Sequence, residues 1–301
     1  MTASRSAGTY RTRRAASRRS RRDILPVSSK RHLPHAVRPR SVIRCSMKRT
    51  LILLYGIVCY AIFFATFLYA IGFIDNLWVP KSMDSARESS LATALLIDLG
   101  LLALFAIQHS VMARPAFKRW WTKWVPESAE RSTYTLLSSV ALIALFTYWQ
   151  PLGGEIWSVT SAPGQAAIYV GYAFGWGLLL ISTFAISHFD LFGLRQVWLQ
   201  FVGTPYQPVA FRQPWLYRQV RHPLYVGWLF IFWSTPTMTV THLVFALATT
   251  AYIFIGIAFE ERDLVAAHPQ YADYRHRVPM LVPRIGKAGG VIPQTAGREP
   301  G

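Results

Sequence analysis

The sequence predicts an all-α fold, a polytopic membrane helical bundle with four spanning helices plus a C-terminal two-helix hairpin and a cytoplasmic N-terminus. Three observations predict it. Charged residues make up only 15% of the 301-residue chain, against roughly a quarter in a soluble domain, while 52% is hydrophobic and 14% aromatic. Several apolar runs approach the roughly 20 residues that a helix needs to cross a bilayer. The segments between them alternate between basic and nearly uncharged, the pattern that fixes the orientation of a membrane protein.

Residues 1–46 hold 13 of the 32 Lys and Arg but one of the 14 Asp and Glu, so they carry +12 of the net charge of +18. The segment is rich in Arg and Ser, has no apolar periodicity and cannot bury a core, so it is expected to be disordered. An organellar presequence, an arm for nucleic acid or anionic lipid, and a product of start-site choice all fit that composition. Met47-Lys48-Arg49 runs straight into an apolar segment, as the start of a membrane protein does. That favours the third reading. Function is then expected from residues 47–285, with 286–301 a disordered tail.

Leu51–Ile74 is the first expected span and carries no charge. Leu91–Ala113 is the second, interrupted by Asp98 and by Gln108-His109 near its end. Thr133–Trp149 is the third and Gly164–Ile186 the fourth. From Pro223 to Phe259 the chain stays apolar for longer than one crossing, and Pro236 divides it into arms at 223–235 and 239–259. Arg114, Lys118, Arg119, Lys123 and Arg131 fill one loop, and Arg195, Arg212, Arg218 and Arg221 another. Glu155 is the one charged residue of 151–163. The positive-inside rule puts the N-terminus, both basic loops and the C-terminal tail in the cytoplasm. Phe117 to Trp124 interleaves aromatics with cations, as suits a segment lying at the lipid headgroups, so no nucleic-acid partner is expected there.

The cytoplasmic side collects the residues able to do chemistry. Arg221-His222-Pro223-Leu224-Tyr225-Val226-Gly227 opens the last apolar pair, with Pro223 suited to the first turn of a helix. Such a helix start offers free N–H groups and the positive end of a dipole to a carboxylate or phosphate. A basic helix start with Gly227 as a packing residue is the plainer reading. Glu260 and Glu261 close the pair, where adjacent acids need water, cations or a ligand. Tyr271, Tyr274, Arg275 and Arg277 follow. The pair thus brings an anion-binding start beside two carboxylates, a setting for a dipolar ligand or for an interfacial ion-pair network. Cys45 and Cys59 are too few for a thiolate metal site, and no metal is expected. Gly171, Gly175 and Gly177 follow no strand, so they are expected to serve helix packing rather than a nucleotide loop.

Arg221-His222-Pro223-Leu224-Tyr225, Glu261 to Leu264, and Tyr271 to Tyr274 with Arg277-Val278-Pro279 resemble three separated blocks of the isoprenylcysteine carboxyl methyltransferase superfamily. Gln108 to Ala113, Glu130 to Tyr134 and His188 to Gln196 are similar to its nurim-related branch, and within it to the bacterial methanethiol S-methyltransferases. With these blocks the resemblance runs from about 47 to 285; the tail at 1–46 departs from it. It implies that S-adenosylmethionine is held at the cytoplasmic face by Arg221, His222, Tyr225, Glu260, Glu261, Tyr274 and Arg277. Arg221 or Arg277 would meet the donor's carboxylate, His222 and Tyr225 its ribose or methionine part, and Glu260 or Glu261 its amino or hydroxyl groups. The implied reaction is displacement of the sulfonium methyl by a small thiol that partitions into membrane lipid. His109, His188 and Asp190 are the candidate catalytic residues, one histidine taking the thiol proton; both histidines also fit interfacial hydrogen bonding. A lipid, isoprenoid or different thiol acceptor, a haem protein using His109, His188 or His242, and a non-enzymatic envelope protein are the alternatives.

Overall fold

A computed structural model describes residues 40–284 except 87, 88 and 211, and gives the backbone alone at 40–46. Most of the expected N-terminal extension and all of the expected tail at 286–301 lie outside the described residues. Helix α1 (Arg40–Ile74) begins ahead of the boundary expected at Met47. It is followed by α2 (Leu91–Ala113), the short α3 (Pro115–Trp121), α4 (Glu127–Tyr148), α5 (Ala162–Ile186), α6 (His188–Leu191), α7 (Leu194–Val202), α8 (Trp215–Gln219), α9 (Pro223–Trp233), α10 (Val240–Ala267) and α11 (Gln270–Arg277). About 72% of the described residues are helical. Among the described residues one small sheet pairs β1 (Glu155–Ser158) antiparallel with β2 (Thr237–Thr239), so the fold is all-α with a two-stranded clip at one end.

Among the described residues, four helices are long and apolar enough to cross a membrane: α1 from Met47, α2, α5 and α10. Their outward faces carry exposed Leu, Ile, Val and Phe, which lipid rather than water would solvate. The expected third span, Thr133–Trp149, is not among them, although α4 covers it. Its inner face explains the difference. Ser132, Thr133, Thr135, Ser138 and Ser139 are buried, and Thr133, Thr135 and Ser139 return their hydroxyls to carbonyls four residues back. Small polar residues let α4 pack closely against both α1 and α2, at the expense of apolarity. The fourth strongly apolar helix is instead α10, the second arm of the apolar pair.

α9 is shorter than the arm expected at 223–235, ending at Trp233. It lies beside α10 and runs the opposite way: Tyr225 touches Glu260 near one end, and the Phe232 carbonyl touches His242 near the other. Against α5 it packs closely. A Cβ built on Gly175 would stand 2.8 Å from the Gly227 carbonyl oxygen, and one built on Gly227 would stand 2.8 Å from the Gly175 carbonyl. The two glycines pass backbone to backbone, as small residues do where helices meet in lipid. Gly171 faces Ser234 further along, whereas Gly177 faces open space, so two of the three expected packing glycines serve that purpose.

The far end of α9 and α10 is tied by local polar pairs. Asp98 of α2 caps the end of α4, its Oδ1 accepting from the Gln150 N–H at 2.8 Å. Asp84 accepts from the Thr239 hydroxyl at 2.6 Å, fixing the start of α10. At the opposite end, after α11, the chain returns along the entry to α9: the Arg221 and His222 N–H groups donate to the Pro279 and Met280 carbonyls at 2.9 and 3.2 Å. That pairing places α11 over the start of α9 and the end of α10. Replacing Gly175 or Gly227 by Val should lower stability by about 1–3 kcal/mol through overpacking. Gly177→Val, with open space before it, should unfold in detergent within a degree or two of the parent in the same thermal melt.

Candidate functional site

The site grows from the two helix ends that the glycine contact and the returning tail bring together. Glu261, on the last turns of α10, is buried and faces inward. Arg221 Nε donates to its Oε1 at 2.6 Å, and His222 Nε2 lies 3.0 Å from the same oxygen. Arg275 Nε stands 3.5 Å from Oε2. Arg221 also donates to the Arg275 and Val278 carbonyls at 2.8 and 2.6 Å. One carboxylate therefore joins the entry to α9, the end of α10 and α11.

Glu260, one residue earlier, points elsewhere, because neighbouring helix residues are turned by about 100°. Its Oε2 accepts from the Tyr225 hydroxyl at 2.9 Å. The rings of His222 and Tyr225 stand 5.5 Å apart, so the α9 start connects the two glutamates. Tyr274 donates to the Tyr217 carbonyl at 2.5 Å and packs edge-on against Tyr271. Burial, reinforced by nearby carboxylates, pushes the Tyr217, Tyr271 and Tyr274 phenols above their ordinary range, and the Tyr217 and Tyr274 hydroxyls donate to backbone carbonyls. Arg277 sits on the exposed side of α11, its Nε donating to the Asp273 carbonyl. The cation that reaches Glu261 from this helix is Arg275.

The candidate proton acceptors separate into two places. His109 lies between α2 and α4, its Nε2 2.8 Å from the Tyr134 hydroxyl and its Nδ1 3.2 Å from Ser138 Oγ. Next to it, the Ser110 and Tyr252 hydroxyls pair at 3.0 Å across α2 and α10. Tyr252 precedes by one turn Gly256, whose Cβ would stand 3.8 Å from the Tyr225 hydroxyl, and Phe105 packs between Tyr252 and His109, so His109 lies toward the Tyr225 side of α10. Arg114 closes the same side, 2.9 Å from Asp263. His188 lies elsewhere. Its Nε2 is 2.8 Å from the Tyr60 hydroxyl, its Nδ1 is 2.9 Å from Thr183 Oγ1, and Phe184 stacks flat on its ring. Asp190 accepts from Arg195 at 2.7 Å and from the Tyr206 hydroxyl at 3.3 Å, which pins the turn between α6 and α7. The contacts of both residues join α1, α5 and α7, apart from the glutamate pair. His242 is bonded to Phe232 at the far end of α9.

With this geometry in view, the comparisons decide the family. Over 242 residues, 80% of this chain and 95% of the relative, the sequence is 56% identical to the methanethiol S-methyltransferase of Crocosphaera subtropica. Over 238 residues, 79% of this chain and 98% of the relative, it is 49% identical to the methanethiol S-methyltransferase of Mycobacterium tuberculosis. The chain belongs to the methanethiol S-methyltransferase family. Nurim of Bos taurus is 29% identical over 191 residues, 60% of this chain and 72% of that protein. No protein-family profile and no solved structure matches the chain.

Within this methanethiol S-methyltransferase family member, Arg221, His222 and Glu261 form one cluster, Tyr225 and Glu260 a second beside it, and His109 a third that borders the second. Tyr217 and Tyr252 complete these clusters without having been singled out from sequence, and Arg275, noted there beside Arg277 but given no role, is the one that meets Glu261. Tyr252 carried a usable signal: it lies eight residues, about two helical turns, before Glu260, and so on the same face. Tyr217 joins through its backbone carbonyl, and no side-chain pattern announces that.

Glu261→Gln should lower stability by about 3–5 kcal/mol, since it leaves buried cations without their carboxylate. Asp190→Asn, at a half-exposed pair, should cost about 1 kcal/mol or less; thermal unfolding in detergent compares them. Burial holds the His188 imidazole below its ordinary pKa. Below about pH 6.5 the unfolded chain therefore gains a proton there that the folded chain resists, and stability falls as the pH drops. A His188→Phe variant should lose part of that slope between pH 7 and 5.

Proposed function

We propose that the chain transfers the methyl group of S-adenosylmethionine to methanethiol, giving dimethyl sulfide, at the cytoplasmic face of the membrane, which in a bacterial cell is the inner membrane. The observation that carries the reading is the meeting of the α9 start with the Glu260–Glu261 end of α10. The first turn of α9 begins with Pro223, which has no N–H to waste, and its remaining free N–H groups suit the donor's carboxylate. Glu260, which accepts from the Tyr225 hydroxyl, suits the donor's amino or ribose hydroxyl groups. Glu261 and Arg221 hold each other, so they act by fixing the α9 start rather than by touching the donor. His222 and Tyr225 stand between these groups, against the methionine or ribose part. Tyr274 and Arg277 belong to the covering helix α11.

The chemistry asks for closeness and dryness more than for acid–base machinery. The thiol sulfur forms a bond to the donor's methyl carbon as the carbon–sulfonium bond breaks, and that electron pair stays on the donor's sulfur. The thiol proton passes to His109 through the Tyr134 hydroxyl 2.8 Å from it. His188 and Asp190, with their partners already made, keep the α5–α7 turn in place. A small apolar thiol reaches such a site from the lipid as well as from water.

Cells expressing the chain and supplied with methanethiol should release dimethyl sulfide into the headspace, and cells carrying Glu260→Gln should release far less. In detergent, His222→Ala and Glu260→Gln should each weaken S-adenosylmethionine binding at least roughly tenfold, about 1.4 kcal/mol. Folded variants that bind the donor as the parent does would remove this site.

A further inference from the structure

We propose that Phe105, Tyr252 and Gly256 bound the acceptor's subsite and set the size of thiol it takes, an inference that rests on the methyl-transfer reading above. Tyr252, Gly256 and Glu260 follow one another at four-residue spacing, so they form one stripe along α10. Across from the stripe lies Tyr225. A Cβ built on Gly256 would meet the Tyr225 hydroxyl at 3.8 Å and nothing nearer beyond its own helix backbone. A glycine inside a helix costs roughly 1 kcal/mol against alanine. Here it keeps the wall open between Tyr252 on one side and Glu260 on the other, the place where an acceptor can approach a donor held by Glu260.

The remaining walls are aromatic. Tyr252 is held by its bond to Ser110 and stands edge-on to Phe105, with ring centres 6.3 Å apart. Phe105 stacks on His109 at 5.2 Å, and His109 lies 5.1 Å from the Tyr134 ring. The proton acceptor is thus built into the lining. All of these side chains are half-buried, so each keeps some surface for a small ligand to touch. Aromatic edges and faces attract divalent sulfur, and rings braced against one another give little ground to a longer alkyl chain. The chemistry that fits is a thiol with one or two carbons.

The experiment compares kcat/KM of the full-length purified protein for methanethiol, ethanethiol and 1-propanethiol, together with S-adenosylmethionine binding. Tyr252→Ala and Phe105→Ala should each raise the ratio of propanethiol to methanethiol at least roughly tenfold, the scale set by one or two methylenes in an apolar pocket. Tyr252→Phe, which keeps the ring, should leave that ratio near the parent's. Gly256→Val should lower kcat/KM for all three thiols at least tenfold while the donor's Kd stays within threefold. Ratios within twofold of the parent in both alanine variants, with donor binding intact, overturn the inference. A parent protein that binds the donor yet methylates none of the thiols overturns the reading beneath it instead.

Discussion

A carboxylate removed from water at the edge of an apolar bundle is costly until cations and donors surround it, and Glu261 sets that requirement here. Its partners come from three directions: Arg221 and His222 from the entry to α9, and Arg275 from α11. Meeting the requirement forces the end of α10, the start of α9 and the returning tail into one place. The net free energy of such a network is modest, because desolvation offsets most of the attraction. What it supplies is position. The α9 start can be offered to a ligand because Glu261 and Arg221 hold it from behind, and Glu260 can face outward because its neighbour faces in.

The bundle around this point is held by contacts suited to lipid, where apolar side chains gain little by leaving one apolar neighbour for another. Gly175 and Gly227 let two backbones touch, and the Ser and Thr face of α4 fits between α1 and α2. Both devices trade side-chain volume for closeness. They also explain why α4 reads as a span from its position and yet falls short in apolarity: its polar groups are spent inside the bundle, with hydroxyls turned back to its own carbonyls.

The two histidines that the sequence set side by side as candidates have different surroundings. Both ring nitrogens of His188 are taken up by Tyr60 and Thr183 under a stacked Phe184, within the α5–α7 turn. His109 also has hydroxyl partners, but it stacks on Phe105, which meets Tyr252 one turn before the Gly256 that faces Tyr225. Chain position made the two look alike; packing separates them.

By itself the sequence determined the helical membrane class, most helix bounds and the pairing of the 221–227 and 260–264 blocks, because apolar run length, prolines and the chemistry of short motifs are local properties. It also determined that Gly171 and Gly175 pack helices, although Gly177, two residues on from Gly175, turns away. Only the tertiary structure decided which glutamate is enclosed, that Arg275 reaches it from α11, and that Tyr252 meets Ser110 across α2 and α10. Each of those outcomes depends on the rotation of one helix about its axis relative to its neighbours. That rotation is set by contacts between residues tens of positions apart, such as Gly175 with Gly227 and Arg221 with Glu261, and no local pattern encodes it.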